Sequence, residues 1–216
     1  MMVDTTKFLV KETNSVVGYT QSDEITLVLY TNTKNSMLYN GGKKSKILSK
    51  LTSKCSNFFN TEKAKYFPDK KLADFDCRIY QTPTLHDATI QLLWRENDAT
   101  KNSISCLAQS LFSHKKRLHN LNGSEMQDLM MIEKGINWND LEVRYKRGVY
   151  IKRMVVDKTF DKKELSNLPR KHKAHENPDL RIKRSIIQEI EYPIFNKIIN
   201  KEGVIFNDEE PLLKID

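Results

Sequence analysis

The stretch Val16-Val17-Gly18-Tyr19-Thr20-Gln21-Ser22-Asp23-Glu24-Ile25-Thr26-Leu27-Val28-Leu29-Tyr30 constrains the fold more than any other. Two runs of β-branched and apolar residues flank a polar break. This pattern predicts a β-hairpin whose tip carries Ser22, Asp23 and Glu24. Adjacent carboxylates at a strand end suit Mg²⁺, a hard cation that takes oxygen ligands and is usually shared with substrate phosphates. Ser and Asp are also ordinary turn residues, so a turn without a ligand is the alternative reading.

The rest of the chain reads as helices and short strands around that hairpin. Residues 2–12 look like the end of a helix, broken at Thr13-Asn14-Ser15. Thr31 to Ser36 is a polar loop. A helix is predicted from about Asn40 to Phe59, with Ile47, Leu48, Leu51, Cys55, Phe58 and Phe59 on one face. Its first turn, Gly41-Gly42-Lys43-Lys44-Ser45-Lys46, places lysines beside free backbone N–H groups, an arrangement that attracts phosphate; a solvated basic helix start is the alternative. Tyr66 to Asp69 is a turn. Asp74 to Gln81 alternates as a strand with Phe75, Cys77 and Ile79 on one side, and Asp76 and Arg78 suit a structural ion pair.

The next helix, from about Leu85 to Phe112, carries Arg95, Asp98 and Asn102 along one face. A polar stripe on an otherwise apolar helix needs partners, either one another or a ligand. His114, Lys115, Lys116, Arg117 and His119 form a basic stretch that suits RNA phosphates or a solvated loop. Ser124 is the expected cap of a helix that turns Met126, Leu129, Met130 and Ile132 inward and is closed by Gly135. Val143 to Arg153 is read as a strand with Tyr145, Lys146, Arg147 and Gly148 within it. Pro169 to Ser185 is read as a basic exposed loop, and Ser185 to Asn200 as a C-terminal helix bent near Pro193.

Composition narrows the function. The 216 residues are 38% hydrophobic and 30% charged, which fits a globular protein of one domain, or one with an appended lobe. Lys and Arg exceed Asp and Glu by 36 to 28, and the net charge of +8 favours a polyanionic partner. No apolar run approaches the roughly 18 residues of a membrane span, and no signal-peptide pattern opens the chain. Cys55, Cys77 and Cys106 are too scattered for a disulfide frame and read as reduced thiols in a cytoplasmic protein. His172 and His175 lack a cysteine partner for zinc. There is no Gly-rich Walker or Rossmann loop, and no Ser-His-Asp order that suggests a hydrolase.

Five ordered motifs resemble the tRNA-His guanylyltransferase family and its 3′-to-5′ polymerase relatives, over residues 1 to about 153. They are Gln21 to Glu24, Ser45-Lys46, Phe75-Asp76, the Arg95/Asp98/Asn102 stripe, and Tyr145 to Gly148. Thr100 and Ser103 replace a His and an Asn of the family helix, a pattern closer to the bacterial and phage-like branch.

The resemblance implies an α/β fold. A polymerase- or cyclase-like palm, a ferredoxin-like antiparallel sheet backed by helices, would occupy residues 1–112. A C-terminal helical and hairpin region would occupy 113–216. The implied reaction is addition of GMP to the 5′ end of a tRNA in the 3′-to-5′ direction, with ATP and GTP as substrates and two Mg²⁺ ions. Asp23 and Glu24 would be catalytic and metal-binding. Ser22, Asp23, Lys43, Lys44, Ser45 and Lys46 would bind nucleotide. Arg95, Asn102, Lys146 and Arg147 would face RNA or phosphate. The resemblance also implies a homo-oligomer. The family's first strand, which ends in a Gly-flanked Asp, is missing from this chain, so either the chain is expected to be a piece of a longer protein or a separate N-terminal segment is expected to supply the strand. A catalytically inactive tRNA-binding remnant and a palm-fold nucleotide cyclase are the alternatives.

Overall fold

The computed structural model describes residues 1–32, 36–113, 117–177 and 179–214. His114, Lys115 and Lys116 of the basic stretch, and part of the Thr31–Ser36 loop, lie outside the described residues.

The chain opens on helix α1 (Met2–Thr13), which buries Thr5, Thr6, Leu9, Val10 and Thr13. Threonine can line this buried face because its hydroxyl is satisfied within the helix. Thr5 and Thr6 donate to the carbonyls of Met1 and Met2 at 3.0 and 2.8 Å. Asn14, in the left-handed region at φ 57°, ends the helix.

The predicted hairpin follows as β1 (Val17–Gln21) and β2 (Glu24–Val28), paired from Val17↔Val28 to Gln21↔Glu24 across the two residues Ser22 and Asp23. β1 also pairs with β3 (Val149–Lys158), and β3 with β4 (Ile182–Ile190). The result is a four-stranded antiparallel sheet of order β2-β1-β3-β4. The α/β architecture expected from the sequence is therefore present.

Alternation along β1 decides what covers each face. Gly18 faces α1; a Cβ there would sit 2.6 Å from Val10 Cγ2 and 2.8 Å from Thr6 Cγ2, so only glycine lets the helix lie this close. Val17 and Tyr19 point the other way. They pack with Leu92 and Ala99 of α3 (Leu85–Leu111), Tyr150 of β3, and Phe195, Ile198, Val204 and Ile205 near the C-terminus. Full burial of such a side chain is worth about 1.5–3 kcal/mol. A second apolar cluster joins Leu9 to Ile47, Leu51 and Cys55 of α2 (Lys44–Ala64). A third joins Ile104 and Ala108 to Leu118 and to Met130 of α4 (Gly123–Lys134).

Several local expectations are corrected. Residues 71–82 form no strand, yet Phe75, Cys77 and Ile79 still face the α2 cluster. The segment is strapped to α2 by side chains instead of a ladder. Asn60 accepts from the Ala73 amide at 2.8 Å and donates to the Ala73 carbonyl at 2.7 Å, while Ser56 Oγ accepts from the Phe75 amide at 3.2 Å. Asn122, not Ser124, caps α4, in a reciprocal box with Glu125. Ile132 is 82% exposed, not inward.

Tyr145 to Arg147 lie in a one-turn helix, α5 (Val143–Arg147), and the strand begins only at Val149. Gly148 makes this switch with φ 75° and ψ −166°, a conformation closed to other residues; a Cβ there would meet the Thr20 carbonyl oxygen at 2.6 Å. A short helix, α6 (Lys162–Ser166), follows β3. The predicted C-terminal helix is instead β4, then a 3₁₀ turn at Phe195–Lys197 and α7 (Lys201–Phe206). Among the described residues no helix is long and apolar enough to cross a membrane.

Candidate active site

The hairpin tip stands in solvent at one end of the sheet. Ser22, with φ 51°, and Asp23 form the turn, and Glu24 opens β2; all three are exposed. The Thr20 hydroxyl donates to the Glu24 carbonyl at 2.9 Å and ties the two strand ends together. Arg95 of α3 reaches the tip. Its Nη1 donates to Glu24 Oε2 at 2.5 Å, and its Nη2 lies 3.5 Å from Asp98 Oδ2. Asn102 donates to the same Asp98 oxygen at 3.2 Å. The stripe's partners are thus one another and Glu24. The Glu24 side chain is 59% exposed, so this pair orients the carboxylate more than it stabilises the fold, at about 0–1 kcal/mol.

The basic helix start is present as well. α2 begins at Lys44 with Lys43 as its cap residue, and no side chain caps its N–H groups. Lys43, Lys44, Ser45 and Lys46 are all exposed. Just before them the backbone passes through Asn40, Gly41 and Gly42 at φ 53°, 64° and 70°. Asn40 Nδ2 and Tyr39 Oη are buried without a hydrogen-bond partner among the described residues. Two donors left unpaired beside a lysine-rich helix start are costly unless a ligand takes them up. Ile47 of this helix shares one apolar cluster with Ile25, the residue after Glu24. Among the described residues no hydrogen bond or ion pair links the lysines to the tip.

Lys146 and Arg147 are turned toward the protein. Lys146 Nζ donates to the Asn139 carbonyl at 2.7 Å and lies over the Trp138 ring. Arg147 is 16% exposed, with Nη1 3.7 Å from Glu96 Oε1, and its carbonyl accepts from the Tyr19 hydroxyl at 2.8 Å.

Glu96 is the residue that sequence reasoning missed. It is 3% exposed, accepts from the Tyr150 hydroxyl at 3.1 Å, and accepts from the Phe195 amide at 2.9 Å. Burial pushes its carboxyl above the usual range, opposed by the Phe195 amide, Arg147 and Tyr150. The signal was available: Thr89, Leu92, Glu96 and Ala99 recur at helical spacing, and all four are buried. Glu96 lines the floor of a cleft of about 440 Å³ with Arg144, Arg147, Tyr150, Glu189 and Tyr192.

The donors do not fit a two-ion metal centre by themselves. Asp23 and Glu24 supply two adjacent carboxylates, and Arg95 already engages one of them. Among the described residues no group of three or more His, Cys, Asp or Glu side chains is placed to hold a metal ion. The expected pair of Mg²⁺ ions would need further carboxylates.

Comparison with known proteins gives this arrangement a context. Residues 1–83 match the family described as Thg1, tRNAHis guanylyltransferase. A bacterial tRNAHis guanylyltransferase-like protein solved with ATP is 38% identical, with a TM-score of 0.66, covering 71% of this chain and 66% of that one. A bacterial structure of the same description solved with GTP is 29% identical, with a TM-score of 0.64, covering 94% and 74%. The tRNAHis guanylyltransferase of Saccharomyces cerevisiae, at 24% identity and a TM-score of 0.60 over 70% and 71%, shares the fold. An uncharacterized protein of Acanthamoeba polyphaga mimivirus is 28% identical over 180 residues, and the chain spans 61% of its length. By the match of its N-terminal region and by its shared palm-like sheet, the chain belongs to the tRNAHis guanylyltransferase family.

Proposed function

We propose that the chain forms part of a nucleotidyltransferase that adds GMP, or another nucleotide, to the 5′ end of a tRNA in the 3′-to-5′ direction, as in tRNAHis guanylylation or 5′-end repair. The observation that carries this reading is the solvent-facing Asp23–Glu24 tip, oriented from α3 by Arg95, in a chain of this family. Once ATP or GTP has activated the 5′ phosphate, the 3′-hydroxyl of an incoming GTP attacks the phosphorus. A new phosphodiester bond forms, the hydroxyl proton is lost and the activating nucleotide leaves as its monophosphate; the added residue keeps the GTP triphosphate, and hydrolytic release of pyrophosphate from it leaves GMP added. Lys43, Lys44 and Lys46, the free N–H groups of α2, and the unpaired donors of Tyr39 and Asn40 would hold triphosphate. Ser22 would orient a phosphate, and Asn102 would support Arg95 through Asp98. Such chemistry is largely positioning and charge stabilisation.

The incomplete carboxylate set gives the reading a second part, in which a separate segment completes the site. Two features support strand addition. β2 is an edge of the sheet, with β1 as its partner, and the extended segment 73–81 lies outside the sheet; side chains of both pack on the α2 cluster. A strand bearing a carboxylate could pair with such an edge. A homo-oligomer and a cytoplasmic setting belong to the same reading.

The test is transfer of labelled GTP to a truncated, 5′-phosphorylated tRNA in the presence of Mg²⁺. It is run with the chain alone, with an added peptide that carries the family's first strand, and with Asp23→Ala. The expected result is transfer that needs the peptide and falls by about 10²-fold or more in Asp23→Ala. Transfer by the chain alone would refute the strand-addition part. Retained tRNA binding without transfer under any condition would leave the RNA-binding remnant as the better description.

A further inference from the structure

Trp94 sits in the middle of α3 and is 62% exposed, whereas Leu92 and Glu96 on either side of it are 1% and 3% exposed. A tryptophan left in water forgoes the large apolar contribution that its ring makes when buried. Its ring is nonetheless held in place. The Arg95 guanidinium lies 5.0 Å from the ring centroid, and Arg95 is itself fixed by Glu24 and Asp98. The ring therefore borders the hairpin tip. The exposed stripe around it runs Ile90, Trp94, Asn97, Lys101; Asp98, one turn on from Trp94, is paired with Arg95 and Asn102.

An open aromatic face flanked by an amide and a cation is what stacks on a nucleobase while the cation meets the adjoining phosphate. In a chain of net charge +8 the stripe suits a polyanion. We propose that Trp94 is the stacking platform for a base at the single-stranded 5′ end of the RNA substrate. This rests on the RNA-end reading above and names a residue outside the family motifs that led to it.

The probe is a fluorescently labelled, 5′-phosphorylated single-stranded RNA heptamer, titrated by anisotropy against the full chain. Trp94→Ala should weaken binding about tenfold and Trp94→Phe should recover most of it, with melting temperature and GTP affinity unchanged. The chain has two tryptophans, so in Trp138→Phe the remaining emission reports Trp94 and should be quenched by the heptamer. Binding by Trp94→Ala within twofold of the unaltered chain overturns the proposal and leaves the RNA-end reading intact. Quenching that follows protein concentration without RNA also overturns it, in favour of a contact between copies. Failure of the unaltered chain to bind the heptamer removes both readings.

Discussion

Glu96 shows how one buried carboxyl ties four elements together. Through Tyr150, Phe195 and Arg147 it links α3 to β3, the C-terminal turn and α5. Burial raises its folded-state pKa above an ordinary value of 4.5. The sign of the linkage follows: its contribution is fully present below the unfolded pKa and is lost as pH rises through the folded one. Relative to Glu96→Gln, the unaltered chain should therefore lose unfolding free energy as pH rises from below the ordinary carboxyl value of 4.5. Denaturant titrations of both proteins across that rise in pH test this, and a constant separation between them would remove Glu96 as its source. The same residue marks a limit of motif reading. Attention to Arg95, Asp98 and Asn102 picked out the exposed side of α3, while the spacing of Leu92, Glu96 and Ala99 already placed a carboxylate on its buried side.

At the level of elements, hydrophobic period was read correctly more often than partnership was. The segment around Phe75, Cys77 and Ile79 alternates as predicted, but alternation reports only that one side is covered. Its backbone is held by Asn60 and Ser56 of α2. Asn60→Ala should cost about 2–3 kcal/mol, since three side-chain hydrogen bonds near 1 kcal/mol each, two to Ala73 and one to the Ser56 carbonyl, are lost. It should also speed exchange of the Ala73 amide, followed by hydrogen–deuterium exchange. Unchanged protection at Ala73 would mean that the strap does not hold the segment. Ser185 to Asn200 reads as helix only as one unit, and the structure divides it between β4 and a 3₁₀ turn. Ile182, Ile186, Ile187 and Ile190 belong to a β-branched run that ends before Pro193.

The molecule as a whole carries a net charge of +8, which suits a partner rich in phosphate. Its affinity for tRNA should fall about tenfold or more between roughly 50 and 200 mM salt, because each neutralised phosphate releases counterions. A flat salt profile would show that the surplus of 36 basic over 28 acidic residues does not hold the RNA. The hairpin, its acidic tip, the two long helices and the basic start of α2 were all determined by sequence alone. Each rests on local rules: β-branched runs, turn residues and helical period act over a few neighbouring residues. Only the tertiary structure decided that Arg95 meets Glu24, that Arg147 turns inward to Glu96, and that β3 completes the sheet beside β1. Those pairings join residues between about 50 and 130 positions apart, and packing in three dimensions selects among the many partners each could have had.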